Sequence, residues 1–227
     1  MKVNWPERIW VNSPVRLFVQ RRETLFFKNL REMDPDASCL EIGCGRGAAV
    51  GLIIKAFGPR RIHASDIDPE MIRMAVFKEA PRYKGHVLHL VADAQYLPYP
   101  DRCMDAVFNY GIIHHLENWG LGIREVARVL KIGGGFYFEE IYPPLYANFL
   151  FRRILAHPKE NRFHGFEYRA ALKDCRLHLL PGYKENRFGI VGVAVKEEEF
   201  DPRDSLRYNG YCSRLTSSDA EAYAGQQ

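Results

Sequence analysis

The sequence predicts an α/β protein with a parallel sheet that is covered by helices on both faces. One reason is that short apolar runs typical of buried strands alternate with helix-length segments between residues 38 and 141. Another is that the first apolar run leads directly into three glycines at alternate positions, Gly43, Gly45 and Gly47. A strand that ends in glycines and then opens a helix is typical of a ligand-binding loop, because bare backbone and unpaired N–H groups face the ligand.

The first predicted element is a helix that begins at Ser13-Pro14, with Ser13 as the N-cap, and ends before Asp34. Its apolar residues recur at helical spacing and predict a core-facing stripe, which Arg22 interrupts: Val15, Phe18, Val19, Phe26 and Leu30. The basic residues of this helix are expected to form a solvated surface: Arg16, Arg21, Arg22, Lys28 and Arg31.

The elements that follow alternate between strand and helix. Strands are predicted at about 38–43, 61–66, 86–91, 104–109 and 136–141, and helices at about 46–57, 69–79 and 118–130. Beyond residue 141 the alternation stops, and the aromatic, basic segment 142–174 is expected to hold two short helices. The apolar runs Cys175–Leu180 and Phe188–Val195 predict a terminal antiparallel hairpin.

Length and composition limit the class of protein. The 227 residues suit one domain, and the net charge of +4 is too mild for the basic stripe of a typical nucleic-acid binder. The five cysteines are scattered without a C-x-x-C pair, which predicts reduced thiols and no metal site. Because the sequence shows neither a signal peptide nor an apolar segment long enough to span a bilayer, we expect a cytoplasmic protein.

Acidic residues follow the glycines at the predicted strand ends. Asp66 lies about twenty residues beyond the glycine loop, where a carboxylate can accept both hydroxyls of a ribose. Asp93 and Ala94 end the third strand, and Glu41 precedes the first glycine by two residues. A carboxylate beside the glycines suits an ammonium or sulfonium ion and would repel a pyrophosphate.

These motifs together resemble the class I S-adenosylmethionine (SAM)-dependent methyltransferases, in particular the type 11 group that includes quinone-biosynthesis enzymes. The resemblance covers roughly residues 38–141 and implies a Rossmann-like, seven-stranded, mostly parallel sheet in the order 3-2-1-4-5-7-6, with strand 7 antiparallel. It implies SAM as the cofactor and a role for three groups of residues in holding its methionine, ribose and adenine parts. These residues are Glu41, Gly43, Gly45, Gly47, Asp66, Ile67, Met71, Asp93, Ala94, Asn109 and Tyr110.

The resemblance further implies transfer of a methyl group from SAM to a small, partly apolar acceptor, which leaves S-adenosylhomocysteine. A displacement at an activated methyl carbon needs positioning more than a catalytic group, so no obligatory catalytic residue is expected. The catalytic residue is unknown from the sequence, and the candidates for a catalytic role are His114, His115, Glu139 and Tyr142. Three alternatives remain open, namely an NAD(P)-dependent oxidoreductase, an RNA or DNA methyltransferase, and a SAM-binding module without catalytic activity.

The sequence predicts a single domain over residues 1–216. Within it, residues 1–33 are expected to form a helical cap and residues 142–174 a lid over the acceptor site. Residues 217–227 are expected to be a disordered tail.

Overall fold

A computed structural model describes residues 13–83, 85–146 and 161–198 of the chain. Its helices are α1 (Pro14–Leu30), α2 (Val50–Phe57), α3 (Pro69–Tyr83), α4 (Trp119–Val129), α5 (Pro143–Tyr146) and α6 (Gly165–Asp174), with a short 3-10 turn at Ile113–His115. Its strands are β1 (Ser38–Ile42), β2 (Arg61–Asp66), β3 (Val87–Val91), β4 (Met104–Tyr110), β5 (Leu130–Ile141), β6 (Leu177–Leu179), β7 (Lys184–Asn186) and β8 (Gly189–Lys196). None of the described helices is both long and apolar enough to cross a membrane.

The strands form one mixed sheet in the order β3-β2-β1-β4-β5-β8-β6. The first five are parallel and β8 is antiparallel to β5, which confirms the predicted α/β class and the predicted order if β8 takes the place of strand 7. Within the described residues the sheet has eight strands and not seven, since β7 pairs with the beginning of β8 and β6 with its end. Pro181, which has no N–H, and Gly182, with a φ of 93°, separate the two short strands along this edge.

Hydrophobic layers cover both faces of the sheet. On one face, side chains of β1, β4 and β5 pack against α1 and α2, with Phe27, Phe57 and Tyr137 among the buried rings. On the other face, α4 and α6 cover β4, β5 and β8. Alternation along each strand sends neighbouring residues to opposite faces, and this decides the surroundings of the site residues at the strand ends.

Helix α1 departs from the prediction in its first half, whereas Phe26 and Leu30 of the predicted stripe pack against the core. Its fully covered side chains are Arg16, Gln20, Thr24 and Phe27. Val15 and Phe18, which the spacing placed toward the core, are more than half exposed. The predicted solvated surface is therefore also wrong at Arg16, because this arginine is buried against acidic partners that lie far away in the sequence.

The segment after β5 differs from the predicted lid in its described part. Helix α6 carries Tyr168 and Leu172, which are buried in the hydrophobic layer over β5 and β8 and do not lie at the cavity described below. Residues 147–160, which hold much of the predicted lid, lie outside the described residues, as do 1–12 of the predicted cap and the predicted tail 217–227.

Candidate functional site

A cavity lies at the carboxyl edge of the parallel strands, where β1, β2, β3 and β4 end. The glycine loop forms one side of it, and the segments that follow β2 and β3 form another. Helix α1 and the segment after β4 complete the wall. The residues that line the cavity are Arg16, Gln20, Gly43, Cys44, Gly45, Arg46, Ala48, Asp66, Ile67, Asp68, Met71, Ala92, Asp93, Ala94, Tyr110, Gly111, Ile112, His115 and Leu116.

The glycine loop takes a shape that only glycine adopts readily. Gly43, Gly45 and Gly47 have φ values of 68°, 53° and 72°, all in the left-handed region. A Cβ atom on Gly43 would lie 2.3 Å from Cγ2 of Ile112, so the close packing of the two segments also requires hydrogen at this position. At Gly45 a Cβ would meet no atom within 4 Å, because this glycine faces open space along the cavity. The loop therefore presents bare backbone to a ligand.

Asp66, at the end of β2, holds this loop in place. Its Oδ2 accepts a hydrogen bond from the Gly45 backbone N–H at 2.9 Å, and its Oδ1 accepts one from the Asp68 N–H at 2.8 Å. Burial raises the pKa of the Asp66 carboxyl, while the two N–H donors act in the opposite direction. The carboxylate is thus aimed at the cavity by its own backbone contacts, with lone pairs left for further donors. Asp68 accepts from the Glu70 N–H and so caps α3.

The segment after β3 brings a second acid to the cavity. Asp93 Oδ1 accepts from the Gln95 backbone N–H at 2.8 Å, which fixes the carboxylate at the strand end. Ala94, Ile67 and Met71 line the same part of the wall and make it apolar. A flat aromatic ring with an exocyclic amine would find apolar surface and a carboxylate acceptor here.

The opposite end of the cavity is bounded by the buried side of α1. The Arg16 guanidinium donates to Glu139 Oε2 at 3.0 Å, to the Tyr110 carbonyl at 3.0 Å and to Glu23. Burial, together with the neighbouring Glu139, raises the pKa of Glu23 to about 7, so the two glutamates around one arginine share less than two full negative charges at neutral pH. The hydroxyl groups of Tyr110 and Thr24 lie 2.7 Å apart and join α1 to the end of β4.

Gln20 adds an unsatisfied polar atom to this wall. Its Oε1 is buried and has no hydrogen-bond partner among the described residues, although the residue lines the cavity. A buried carbonyl oxygen left without a donor costs about 1–3 kcal/mol, and a bound ligand that donates an N–H or O–H would remove this cost.

The two glutamates that end β5 have different surroundings because they alternate across the sheet. Glu140 is fully buried on the α4 side, where its Oε1 accepts from Asn109 Nδ2 and from the Ile113 N–H, both at 2.7 Å. Its Oε2 lies 2.6 Å from His114 Nδ1. Burial lowers the pKa of His114 to about 3 and raises that of Glu140 to about 7, so the imidazole is neutral at physiological pH. This cluster anchors the turn after β4 beneath the cavity.

The structure brings most of the predicted cofactor residues together at the cavity. Eight of them line it: Gly43, Gly45, Asp66, Ile67, Met71, Asp93, Ala94 and Tyr110. It does not bring Asn109 there, because alternation turns this side chain to the opposite face and its Oδ1 accepts from the Ile112 N–H. Glu41, buried on the same face as Tyr110, and Gly47, within the loop turn, are also not part of the wall.

The four candidates for a catalytic role separate in the same way. His115 lines the cavity, and its ring centroid lies 4.2 Å from that of His114, which does not. Glu139 lies behind Arg16. Tyr142 lies outside the cavity, where its hydroxyl donates to Glu185 at 2.9 Å.

Sequence reasoning missed the contribution of α1, namely Arg16 and Gln20. The signal present in the sequence was a polar stripe at a spacing of four, Arg16, Gln20 and Thr24, which places these three side chains on one side of the helix.

Comparisons with known proteins agree with this geometry. Residues 40–138 match the family model described as a methyltransferase domain. Over 105 residues the chain is 33% identical to a fatty-acid O-methyltransferase of Mycolicibacterium smegmatis, an alignment that covers 46% of this chain and 37% of the relative. It is 29% identical over 145 residues to a chloroplastic 2-methyl-6-phytyl-1,4-hydroquinone methyltransferase of Arabidopsis thaliana, which covers 63% of this chain and 42% of the relative.

Solved structures show the same fold. A SAM-dependent methyltransferase from Aquifex aeolicus superposes with a TM-score of 0.66 at 19% identity, covering 84% of this chain and 98% of that one. The described part of the chain therefore has the same fold as this methyltransferase. The match to the methyltransferase family model covers residues 40–138, and the relatives give no support to the oxidoreductase alternative. The chain spans about two fifths of the length of the curated relatives it matches, between 37% and 42%.

Proposed function

We propose that the protein transfers the methyl group of SAM to a small, lipophilic acceptor. The observation that carries this proposal is the convergence of the glycine loop, Asp66 and Asp93 on one cavity at the carboxyl edge of a methyltransferase domain. The same cavity offers carboxylates, an apolar wall and an unsatisfied amide oxygen, which match the chemical groups of SAM one by one.

The residues around the cavity suit the parts of SAM in a definite order. Asp66, whose carboxylate is fixed by Gly45 and Asp68, would accept the two ribose hydroxyls. Asp93 would accept the adenine amine, with Ile67 and Met71 against the ring. The glycine loop and Gln20 would contact the methionine part, where the ammonium group supplies the donor that Gln20 Oε1 needs. We infer no role in direct contact for Asn109.

When bound, SAM supplies an electrophilic methyl carbon on a positively charged sulfur. The task of the protein is then to hold the acceptor atom near that carbon and to exclude water, and such positioning is worth roughly 7–11 kcal/mol. Tyr110, Ile112 and Leu116 give this end of the cavity apolar walls. His115 is the titratable group on the wall there, and it would take a proton only from an acceptor that must lose one.

The acceptor class is inferred from the wall and from the relatives. An apolar wall beside the methyl-donating end favours a lipophilic molecule over a nucleic acid. The names of the relatives point the same way, because they act on a fatty acid and on a phytyl hydroquinone. Among the described residues, Cys39, Cys44, Cys103 and Cys175 form no disulfide bond, which supports a reducing compartment such as the cytoplasm.

The proposal is tested in two stages with the full-length chain. Calorimetry with SAM and with NADH first asks which nucleotide binds, and we expect binding of SAM alone. Methyl-labelled SAM is then incubated with lipid, quinol and RNA extracts, and we expect label in the organic phase that depends on the protein. Binding of SAM without any labelled product would leave a binding module, and preferential binding of NADH would overturn the cofactor assignment.

A further inference from the structure

From Pro14 to Leu25, helix α1 turns polar side chains inward and leaves apolar side chains exposed, whereas Phe27 beyond this stretch is buried in the core. Inward, Arg16 contacts Glu139 and Glu23, and Thr24 contacts Tyr110, so polar contacts hold the helix on the sheet. An ordinary surface helix turns its apolar stripe to the core and its charged residues to water. This arrangement leaves apolar side chains on the outward side of α1 exposed to water.

The outer face of α1 is apolar and basic. We define it by the exposed residues Val15, Leu17, Phe18, Arg21, Arg22 and Leu25. Val15, Phe18 and Leu25 are 56%, 58% and 51% exposed, and the Arg22 guanidinium lies 5.9 Å from the Phe18 ring centroid. Within the described helix, the acidic residue Glu23 is turned away from this face toward Arg16. The outer face therefore combines exposed apolar side chains with two cations and no acid.

We propose that the outer face of α1 docks on an anionic lipid surface. A helix that lies in the membrane interface places its apolar side chains at the boundary between headgroups and acyl chains, and its arginines among the phosphates. Phe18 and Leu25, about two turns apart, would enter the boundary, while Arg21 and Arg22 would contact the headgroups. Charge argues against a second copy of the chain, since two identical faces would bring these arginines together.

A second basic and aromatic element lies at the same edge of the sheet. The turn between β7 and β8 exposes Arg187 and Phe188, with the guanidinium 4.4 Å from the ring centroid. The next residue, Gly189, pairs with Ile141 at the end of β5, and Glu139, two residues earlier, is the partner of Arg16. The first turns of α1 and this turn therefore both lie near the carboxyl end of β5.

Gln20, on the inner side of α1, lines the cavity. If the outer face of α1 lay on the lipid, only the helix diameter, roughly 10 Å, would separate the cavity from the lipid. A lipophilic acceptor would then reach the site without crossing bulk water. This consequence rests on the proposed function, whereas the docking itself depends only on the outer face of α1.

The test is cosedimentation of the full-length protein with vesicles of phosphatidylcholine alone or mixed with phosphatidylglycerol. We expect binding to the anionic vesicles, weakened by salt, and little binding to the neutral ones. The double variant Phe18→Ser/Leu25→Ser and the double variant Arg21→Gln/Arg22→Gln should each bind at least about tenfold more weakly. Phe77→Ser on α3 is the matched control, because Phe77 is 86% exposed but lies on another helix, and it should bind like the wild type.

Three results would overturn docking: no binding of the wild type to anionic vesicles, wild-type binding by both double variants, or an equal loss in Phe77→Ser. A dimer that Phe18→Ser/Leu25→Ser disrupts, together with absent vesicle binding, would assign the outer face to a second copy. SAM calorimetry on every variant shows that each one folds. It also separates the two proposals, since a wild type that binds SAM but not anionic vesicles counts against docking alone.

Discussion

The role of Asp66 yields the sharpest prediction from the site. In Asp66→Ala the cavity loses the carboxylate that would accept both ribose hydroxyls. Hydrogen bonds to a charged group are worth about 1.5–3 kcal/mol each, so two of them amount to about 3–6 kcal/mol, or roughly a 10²- to 10⁴-fold rise in the Kd for SAM. Gly45 and Asp68 also lose the acceptor of their backbone N–H groups, so the variant should be less stable as well.

The assay must separate these two effects. Isothermal titration gives the Kd, and urea unfolding without ligand gives the stability of each variant. Asp66→Asn keeps the shape and one acceptor oxygen, and its Kd should lie between those of the wild type and Asp66→Ala. The matched control is Asp36→Ala, an exposed aspartate before β1, which should bind SAM normally.

A thermodynamic cycle makes the assignment specific to the ribose. An S-adenosylhomocysteine analogue that lacks both ribose hydroxyls should bind the wild type much more weakly than S-adenosylhomocysteine does, and Asp66→Ala should barely distinguish the two. The reasoning is refuted if Asp66→Ala binds SAM within about threefold of the wild type, or if it still discriminates the analogue fully.

Three further predictions concern the surroundings of the cavity. Gly43→Ala should lose SAM affinity and stability, because its Cβ would lie 2.3 Å from Ile112. The control is Gly58→Ala, where φ is similar but a Cβ would meet no atom within 4 Å; this variant should lose about 1 kcal/mol of stability and keep its affinity for SAM in calorimetry. Tyr110→Phe should lower the free energy of unfolding in urea by about 0.5–1.5 kcal/mol, because the bond to Thr24 is lost, and an unchanged value would argue against this contact as an anchor of α1. The pKa of Glu23 is about 7 in the folded protein, above its ordinary value of 4.5, so the folded state binds this proton more tightly than the unfolded state does. The stability that results is fully present below pH 4.5 and is lost as the pH rises to about 7. Glu23→Gln should therefore flatten the decline in unfolding free energy across that pH range, and an unchanged slope would contradict the assignment.

Local sequence was enough to predict the sheet and half of the cavity. The strand ends at Asp66 and Asp93, and the glycine loop between β1 and α2, follow from alternation and from turn-forming residues within a few positions of each other. The parallel topology then brings these strand ends to one edge without further information. Such features are predictable because each depends on short stretches of chain.

The orientation of α1 depends on partners far away in the sequence. Arg16 is held by Tyr110 and Glu139, which lie 94 and 123 positions further along the chain. Periodicity alone favours burial of the apolar stripe with Phe18, whereas the contacts of Arg16 with the Tyr110 carbonyl and Glu139 favour burial of the polar side. The same limit applies to Asn109, because its partner Glu140 becomes visible only when β4 and β5 are placed side by side.

The buried cluster of Arg16, Glu23 and Glu139 is better understood as a positioning device than as a source of stability. Removing three charged groups from water is expensive, and well-packed apolar residues often stabilise a protein more than a buried ion pair does. Arg16, however, donates to both the Tyr110 carbonyl and Glu139, and this pair of acceptors fixes α1 in one rotation and one register over the cavity. In that register Gln20 lines the cavity and Phe18 faces outward. One set of polar contacts thus determines both the composition of the cavity wall and the apolar, basic outer face of α1.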